Sequence, residues 1–145
     1  MKLTFLLSYL VLLAGILGSL VFIYWTFYPY VPVKFLDQEF PIKNKTVYQG
    51  QMVYYTSNYC KYMNLNATVT RTFQNDIIYL TPSTITNRPM GCNTLQVGVQ
   101  VPRELPAGQY QLHQLYVFQV NPTRTVSIVE NTEEFMVLEA TQSAK

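Results

Sequence analysis

The chain is poor in the residues from which most protein chemistry is built. Among 145 residues there are one histidine, two cysteines, one tryptophan and six glycines, and only 12% of residues are charged. A zinc site needs several nitrogen or sulfur ligands, and His113 with two well-separated cysteines does not supply them. Cys60 and Cys92 are also too far apart for a C-x-x-C redox motif. A G-x-S-x-G nucleophile elbow and a phosphate-cradling glycine loop are both absent. Glu133 and Glu134 are adjacent, so in an extended chain they point to opposite faces and do not converge as an acid/base pair. The acidic positions around them match no calcium-loop signature. Ten Lys and Arg face eight Asp and Glu without a basic cluster interleaved with aromatics, so nothing points to nucleic acid. No metal, cofactor or small-molecule substrate is expected, and the chain reads as non-enzymatic.

Charge is missing altogether from residues 3–33. Within that run, residues 5–25 form a stretch of about 21 residues, which as a helix spans roughly 31 Å, close to the hydrocarbon thickness of a bilayer. The stretch reads as a transmembrane helix. Tyr24, Trp25 and Tyr28 at its end suit the headgroup level, and Pro29 stops it. The alternative is a cleaved signal peptide, because Met1-Lys2 is a short positive leader. Against it, the apolar run exceeds a usual h-region and carries no clear A-x-A cleavage pattern. The expected placement is a single pass with the N-terminus cytoplasmic and the remainder periplasmic or extracytoplasmic. The 49% hydrophobic content is inflated by this anchor. It does not imply further spans.

The expected organisation is an anchor over 1–28, a proline-containing stalk with a first edge strand over 29–45, a folded domain over 46–140 and a tail over 141–145. The stalk holds Pro29, Pro32 and Pro41, with the edge strand at 31–36. From Thr46 onward the hydrophobic period is two: Leu65, Ala67, Val69 and Phe73 alternate with polar residues, as do Leu95, Val97, Val99 and Val101. Further strands are predicted over 47–55, 77–80, 110–120, 124–129 and 135–138. Turn signals at Gln74-Asn75-Asp76, Arg88-Pro89-Met90-Gly91, 102–108 and Asn121-Pro122 separate them. Many short strands and no further helix predict an antiparallel sandwich or a small barrel.

Leu105-Pro106-Ala107-Gly108-Gln109-Tyr110 resembles the tyrosine corner of Greek-key sandwiches, with Tyr110 at the head of a long strand. Taken with 47–55, Tyr59-Cys60-Lys61, 99–102 and 116–124, the chain resembles an immunoglobulin-like β-sandwich on a membrane anchor. More narrowly it is similar to small membrane-anchored proteins of tailed bacteriophages and their bacterial hosts. The resemblance implies a mainly β protein that presents its domain to another protein, as a virion membrane component, a superinfection-exclusion factor or a lysis regulator. It departs from antibody domains, whose core tryptophan lies between bonded cysteines: Trp25 is the sole tryptophan, and Leu112 sits two residues after Tyr110.

Two cysteines on an oxidising side suggest one disulfide, Cys60–Cys92, closing a loop of about 33 residues worth roughly 3 to 4 kcal/mol in the chain-entropy model. It would pin the second strand to the loop before Thr94; two free thiols are the alternative. Tyr54, Tyr55, Tyr59 and Tyr62 crowd around Cys60. Tyrosines supply large contact area at low entropic cost, so this cluster is the candidate contact surface, against packing beneath the sandwich end. Arg71 joins it, because it occupies the apolar register between Val69 and Phe73, where a charge must pair or reach water. His113 falls on the polar side of its strand and is expected to be solvated. Asn44-Lys45-Thr46 and Asn66-Ala67-Thr68 match the glycosylation sequon, which matters only in a eukaryotic secretory pathway.

Overall fold

The computed structural model describes residues 2–75 and 78–140, with the side chains of residues 2–4 outside that description. Asp76 of the expected turn, Ile77 of the expected strand and the tail at 141–145 lie outside the described residues. In chain order the elements are α1 (Lys2–Phe27), β1 (Val33–Phe35), β2 (Thr46–Tyr48), β3 (Met52–Lys61), β4 (Ala67–Gln74) and β5 (Ile78–Leu80). There follow β6 (Thr84–Thr86), β7 (Gly91–Gln100), β8 (Gly108–Asn121), β9 (Arg124–Asn131) and β10 (Phe135–Leu138). The protein is mainly β with one N-terminal apolar helix.

Within α1, Phe5–Phe27 is 23 residues long with a mean hydropathy of 2.5, and none of its most apolar window is buried. By length and composition it is able to cross a membrane. Its last carbonyls have no partner within the helix. The tip of the β8–β9 hairpin supplies partners: Asn121 Nδ2 donates to Trp25 O at 3.0 Å, and Arg124 Nη1 donates to Thr26 O at 2.8 Å and Tyr28 O at 2.7 Å. A cation at a helix C-terminus also meets the negative end of the helix dipole.

The strands form two sheets. The smaller has the order β1-β3-β7 and is antiparallel, with β3 and β7 paired over ten consecutive positions from Met52↔Gln100 to Lys61↔Gly91. The larger follows β2-β10-β8-β4-β5, with β6 beside β5 on one edge of β4 and β9 beside β10 on one edge of β8. Its β2–β10 pair is parallel, which corrects the expectation of a wholly antiparallel architecture.

Alternation explains which faces meet. In β3, Val53, Tyr55, Ser57, Tyr59 and Lys61 point inward; in β8, Tyr110, Leu112, Gln114, Tyr116 and Phe118 do so, and all ten are buried. The two faces meet in ring contacts: Phe40 stacks on Tyr55 with centroids 5.4 Å apart, and Phe35 lies 4.9 Å from Tyr116. Phe40 is fully buried, so truncating it to alanine should cost about 3 to 5 kcal/mol.

Several boundaries differ from expectation. The strand expected over 47–55 is two strands in different sheets, because Gly50 takes φ +80 and Gln51 N bonds back to Tyr48 O at 3.0 Å. Residues 29–45 are not a free stalk. Val33, Phe40 and Ile42 are buried, and backbone bonds Leu36 N→Asn58 O and Thr56 N→Pro41 O tie the segment to β3. The prolines fit there because each occupies a position that need not donate. Finally, β7 begins at Gly91, so Cys92 lies in a strand rather than in a loop.

Candidate functional site

Three features of the β domain stand apart from ordinary packing. The first is a polar layer across its interior. Tyr55 OH donates to Gln114 Oε1 at 2.7 Å, and Tyr116 OH donates to the same oxygen at 3.0 Å. Arg88 Nη2 donates to Tyr116 OH at 2.9 Å and Nη1 to Ser57 Oγ at 2.8 Å, linking the two sheets. The guanidinium lies 4.8 Å from the Tyr59 ring centroid, 5.3 Å from that of Tyr116 and 5.4 Å from that of Phe35, so aromatic faces rather than a carboxylate offset its charge. Lys61 is buried next to it and donates to Asn87 Oδ1 and Arg88 O, both at 2.8 Å. Burial chiefly, and Arg88 second, hold the Lys61 ammonium below the ordinary lysine range. Burial likewise pushes the Tyr59 and Tyr116 phenols up. At the β9 edge, burial raises the Glu130 carboxyl, with nearby Asp37 adding to the effect.

The second feature is the outer face of the smaller sheet. Cys60 and Cys92 are bonded and directly opposite in the β3–β7 register. Tyr54 lies across from Gly98, where an added Cβ would come within 2.8 Å of the Tyr54 ring. The expected tyrosine surface is thereby divided. Tyr54 and Tyr62 are exposed, whereas Tyr55 and Tyr59 are fully buried and belong to the core. Neighbouring residues on a strand face opposite ways, so Tyr54 and Tyr55 cannot share one surface.

The third feature is a groove of about 590 Å³ between the open edges of the two sheets. Arg71, Thr81 and Thr84 line one wall; Gly98, Gln100 and Arg103 line the other. Arg71 does sit in the inward register of β4, opposite Gln114 of β8. Its Nη1 donates to Thr84 Oγ1 at 3.0 Å, while its buried Nε, like Gln114 Nε2, has no partner among the described residues. Among the described residues, none lining the groove is acidic.

Tyr110 is buried at the head of β8, next to Gly108. His113 Nδ1 is 2.7 Å from Oδ1 of its cross-strand partner Asn131, rather than free in solvent. Glu133 pairs with Lys45 at 3.6 Å, and Glu134 bonds Gln109; both border one shallow depression with Glu39, so their side chains do not diverge as an extended chain implied. Among the described residues, no group of three His, Cys, Asp or Glu side chains is placed to hold a metal ion. Tyr24, Trp25 and Tyr28 are exposed near the end of α1, with the Tyr24 and Tyr28 rings 5.0 Å apart. The polar layer and the open edge of β7 were missed by sequence reasoning. Gln114 in the inward register between Leu112 and Tyr116 was the signal for the layer.

No protein-family model matches the chain, and no curated protein matches it. Among solved structures it is similar to the alkylpurine DNA glycosylase AlkC of Pseudomonas fluorescens, bound to DNA containing an abasic site analogue. That likeness has 8% identity over 74% of this chain and 30% of that one, with a TM-score of 0.37. It is also similar to Spo0M, the sporulation control protein of Bacillus subtilis, with 11% identity over 77% of this chain and 51% of that one and a TM-score of 0.38. The chain thus spans about 30% of the first of these two proteins and about half of the second. At these scores neither likeness bears on what the chain does, and neither supports the immunoglobulin-like or phage resemblance.

Proposed function

We propose that the chain is a single-span membrane protein whose β domain, arranged as an immunoglobulin-like sandwich, binds another protein on the extracytoplasmic side. The observation that carries the proposal is the helix itself. Phe5–Phe27 is apolar on every side and none of its most apolar window is covered by the domain. A helix that is hydrophobic all round needs an apolar surrounding, either a protein interior or a bilayer. The aromatic rings of Tyr24, Trp25 and Tyr28 at its end support a headgroup boundary there. The Cys60–Cys92 bond supports an oxidising compartment for the domain. A binding role is favoured over catalysis by His113, the single histidine, which is engaged by Asn131.

The test is membrane fractionation with alkaline carbonate, combined with the intact mass of the mature chain. Retention in the pellet with Lys2 present supports the anchor. A soluble form starting near residues 20–32 overturns it in favour of a secreted binding module released from a signal peptide. Enzymatic activity abolished by His113→Ala would overturn the non-enzymatic role.

A further inference from the structure

An edge strand displays a row of unpaired N–H and C=O groups that templates another strand, so soluble proteins normally protect such edges. Most open edges of this domain are protected by brevity, charge or proline. β1 has three residues including Lys34, and the neighbouring segment holds Pro41 and Lys43. β5 and β6 have three residues each and flank Pro82. β9 carries Arg124 and Glu130. β7 is the exception: Gly91–Gln100 is ten residues long, without a charge, a proline or a register shift against β3.

The direction of its backbone groups follows from β3. Lys43 N donates to Tyr54 O, Thr56 N to Pro41 O and Leu36 N to Asn58 O, so Tyr54, Thr56 and Asn58 turn their main-chain groups away from β7. In an antiparallel ladder, residues opposite such positions also point outward. Those residues are Gly98, Gln96 and Thr94. Among the described residues nothing bonds to their backbone on the far side. The C-terminal half of this edge forms one wall of the groove that holds Arg71 and Arg103.

We infer that the β7 edge binds an extended, acidic segment of another protein by strand addition, with its carboxylates seated on Arg71 and Arg103. Main-chain bonds to Thr94, Gln96 and Gly98 supply affinity, and the groove supplies selection for charge. Arg71 has a buried Nε without a partner, and a carboxylate is the acceptor that suits a guanidinium best. A second copy of the chain is the poorer occupant. Its β7 has no acidic residue to offer. Gly91 pairs with Lys61, which pairs with Val33 just past α1, so antiparallel β7 pairing would place the two helices at opposite ends of a dimer. This inference rests on the protein-binding reading above.

The test uses the full chain in detergent micelles and fluorescence anisotropy of a labelled, blocked heptapeptide of alternating valine and glutamate. The same peptide with lysine for glutamate is the control. Saturable binding of the glutamate peptide alone is expected, weakened at least about tenfold by Gln96→Pro, which removes an outward N–H without touching the β3 ladder. Gln96→Glu is the second variant, should the proline disturb folding, because it sets a like charge beside the acidic peptide. The double variant Arg71→Gln/Arg103→Gln should weaken binding to a similar degree and flatten its salt dependence. No binding, equal binding of the lysine peptide, or indifference to Gln96→Pro and Gln96→Glu would each overturn the inference. So would co-purification of two differently tagged copies that Gln96→Pro abolishes. A photo-crosslinker in place of Gln96 or Tyr62 in cells separates the two readings. Adducts at Tyr62 alone overturn the edge and leave the binding role, and adducts at neither site remove both.

Discussion

Arg88 is the test of how the interior is held together. Its guanidinium makes two charge-assisted bonds, to Ser57 and Tyr116, and lies against three aromatic rings with no carboxylate among its partners. Each bond is worth about 1.5 to 3 kcal/mol. Keeping a cation in such an interior offsets part of that. Arg88→Ala removes both bonds and leaves a void between the sheets, and the expected loss is about 3 to 5 kcal/mol. Arg88→Met refills much of the volume with an adaptable apolar chain, and Tyr116 OH keeps its bond to Gln114 Oε1. Only Ser57 loses its partner, so the expected loss is about 1 to 2 kcal/mol. Arg88→Lys should do no better than methionine, because a compact ammonium lacks the planar reach of the guanidinium across Ser57 and Tyr116 and is more strongly hydrated. The assay is urea unfolding of the full chain in micelles, followed by near-ultraviolet circular dichroism. A second readout is Lys61, whose ammonium should titrate higher in Arg88→Met once the neighbouring charge is gone. Equal losses for alanine and methionine, or an alanine variant as stable as the parent, would refute the reasoning.

Removing the disulfide with Cys60→Ala/Cys92→Ala should lower unfolding stability by about 3 to 4 kcal/mol, measured by the same urea midpoints. Gly50→Ala should cost about 1 kcal/mol or more, because φ is +80 and the new Cβ would sit 3.2 Å from Arg103 Cγ; an unchanged melting temperature contradicts this. Arg124→Ala should loosen the helix end, seen as faster proteolysis near residues 28–32 with the β domain's melting unaffected. Stability should fall with alkali. Burial raises the phenols of Tyr59, Tyr110 and Tyr116 above the ordinary 10.0, so the unfolded chain gives up these protons first. The stability contributed by the neutral phenols is complete below about pH 10 and is lost as the pH climbs through and beyond that value. Lys61 acts oppositely: its lowered value makes the unfolded state the better proton binder, so its contribution rises with pH up to about 10.4. Three phenols outweigh one amine. Urea midpoints that hold steady or rise above about pH 10 would contradict that balance.

The period-two strands were legible because they bury one face: 135–138 matches β10, and the alternation of Leu65 to Phe73 marks β4. The first half of β7 was not, since it follows the turn signal Arg88-Pro89-Met90-Gly91, reads as a loop up to Thr94 and gains its strand only from the β3 partner. The polar layer was hidden for a related reason. Arg88 lies in a turn-like run, and its partners Tyr116 and Ser57 are 28 and 31 positions away, so no local pattern joins them. Arg71 was recognisable as a misplaced charge, because its register was readable and only its surroundings were not. The tyrosine cluster is close in sequence without being one surface, because alternation along β3 separates Tyr54 from Tyr55.

The row Lys34–Cys60–Cys92 runs across all three strands of the smaller sheet, one residue beyond the point where the chain from α1 enters at Val33. Tension on the helix is therefore delivered along β1, in shear against β3, close to the covalent staple that joins β3 to β7. A partner strand added to β7 would be loaded lengthwise as well, so its bonds would resist together instead of opening one at a time. With α1 in a bilayer and a partner on β7, as proposed, the sheet would serve as a tether whose covalent link joins β3 to β7 at that row.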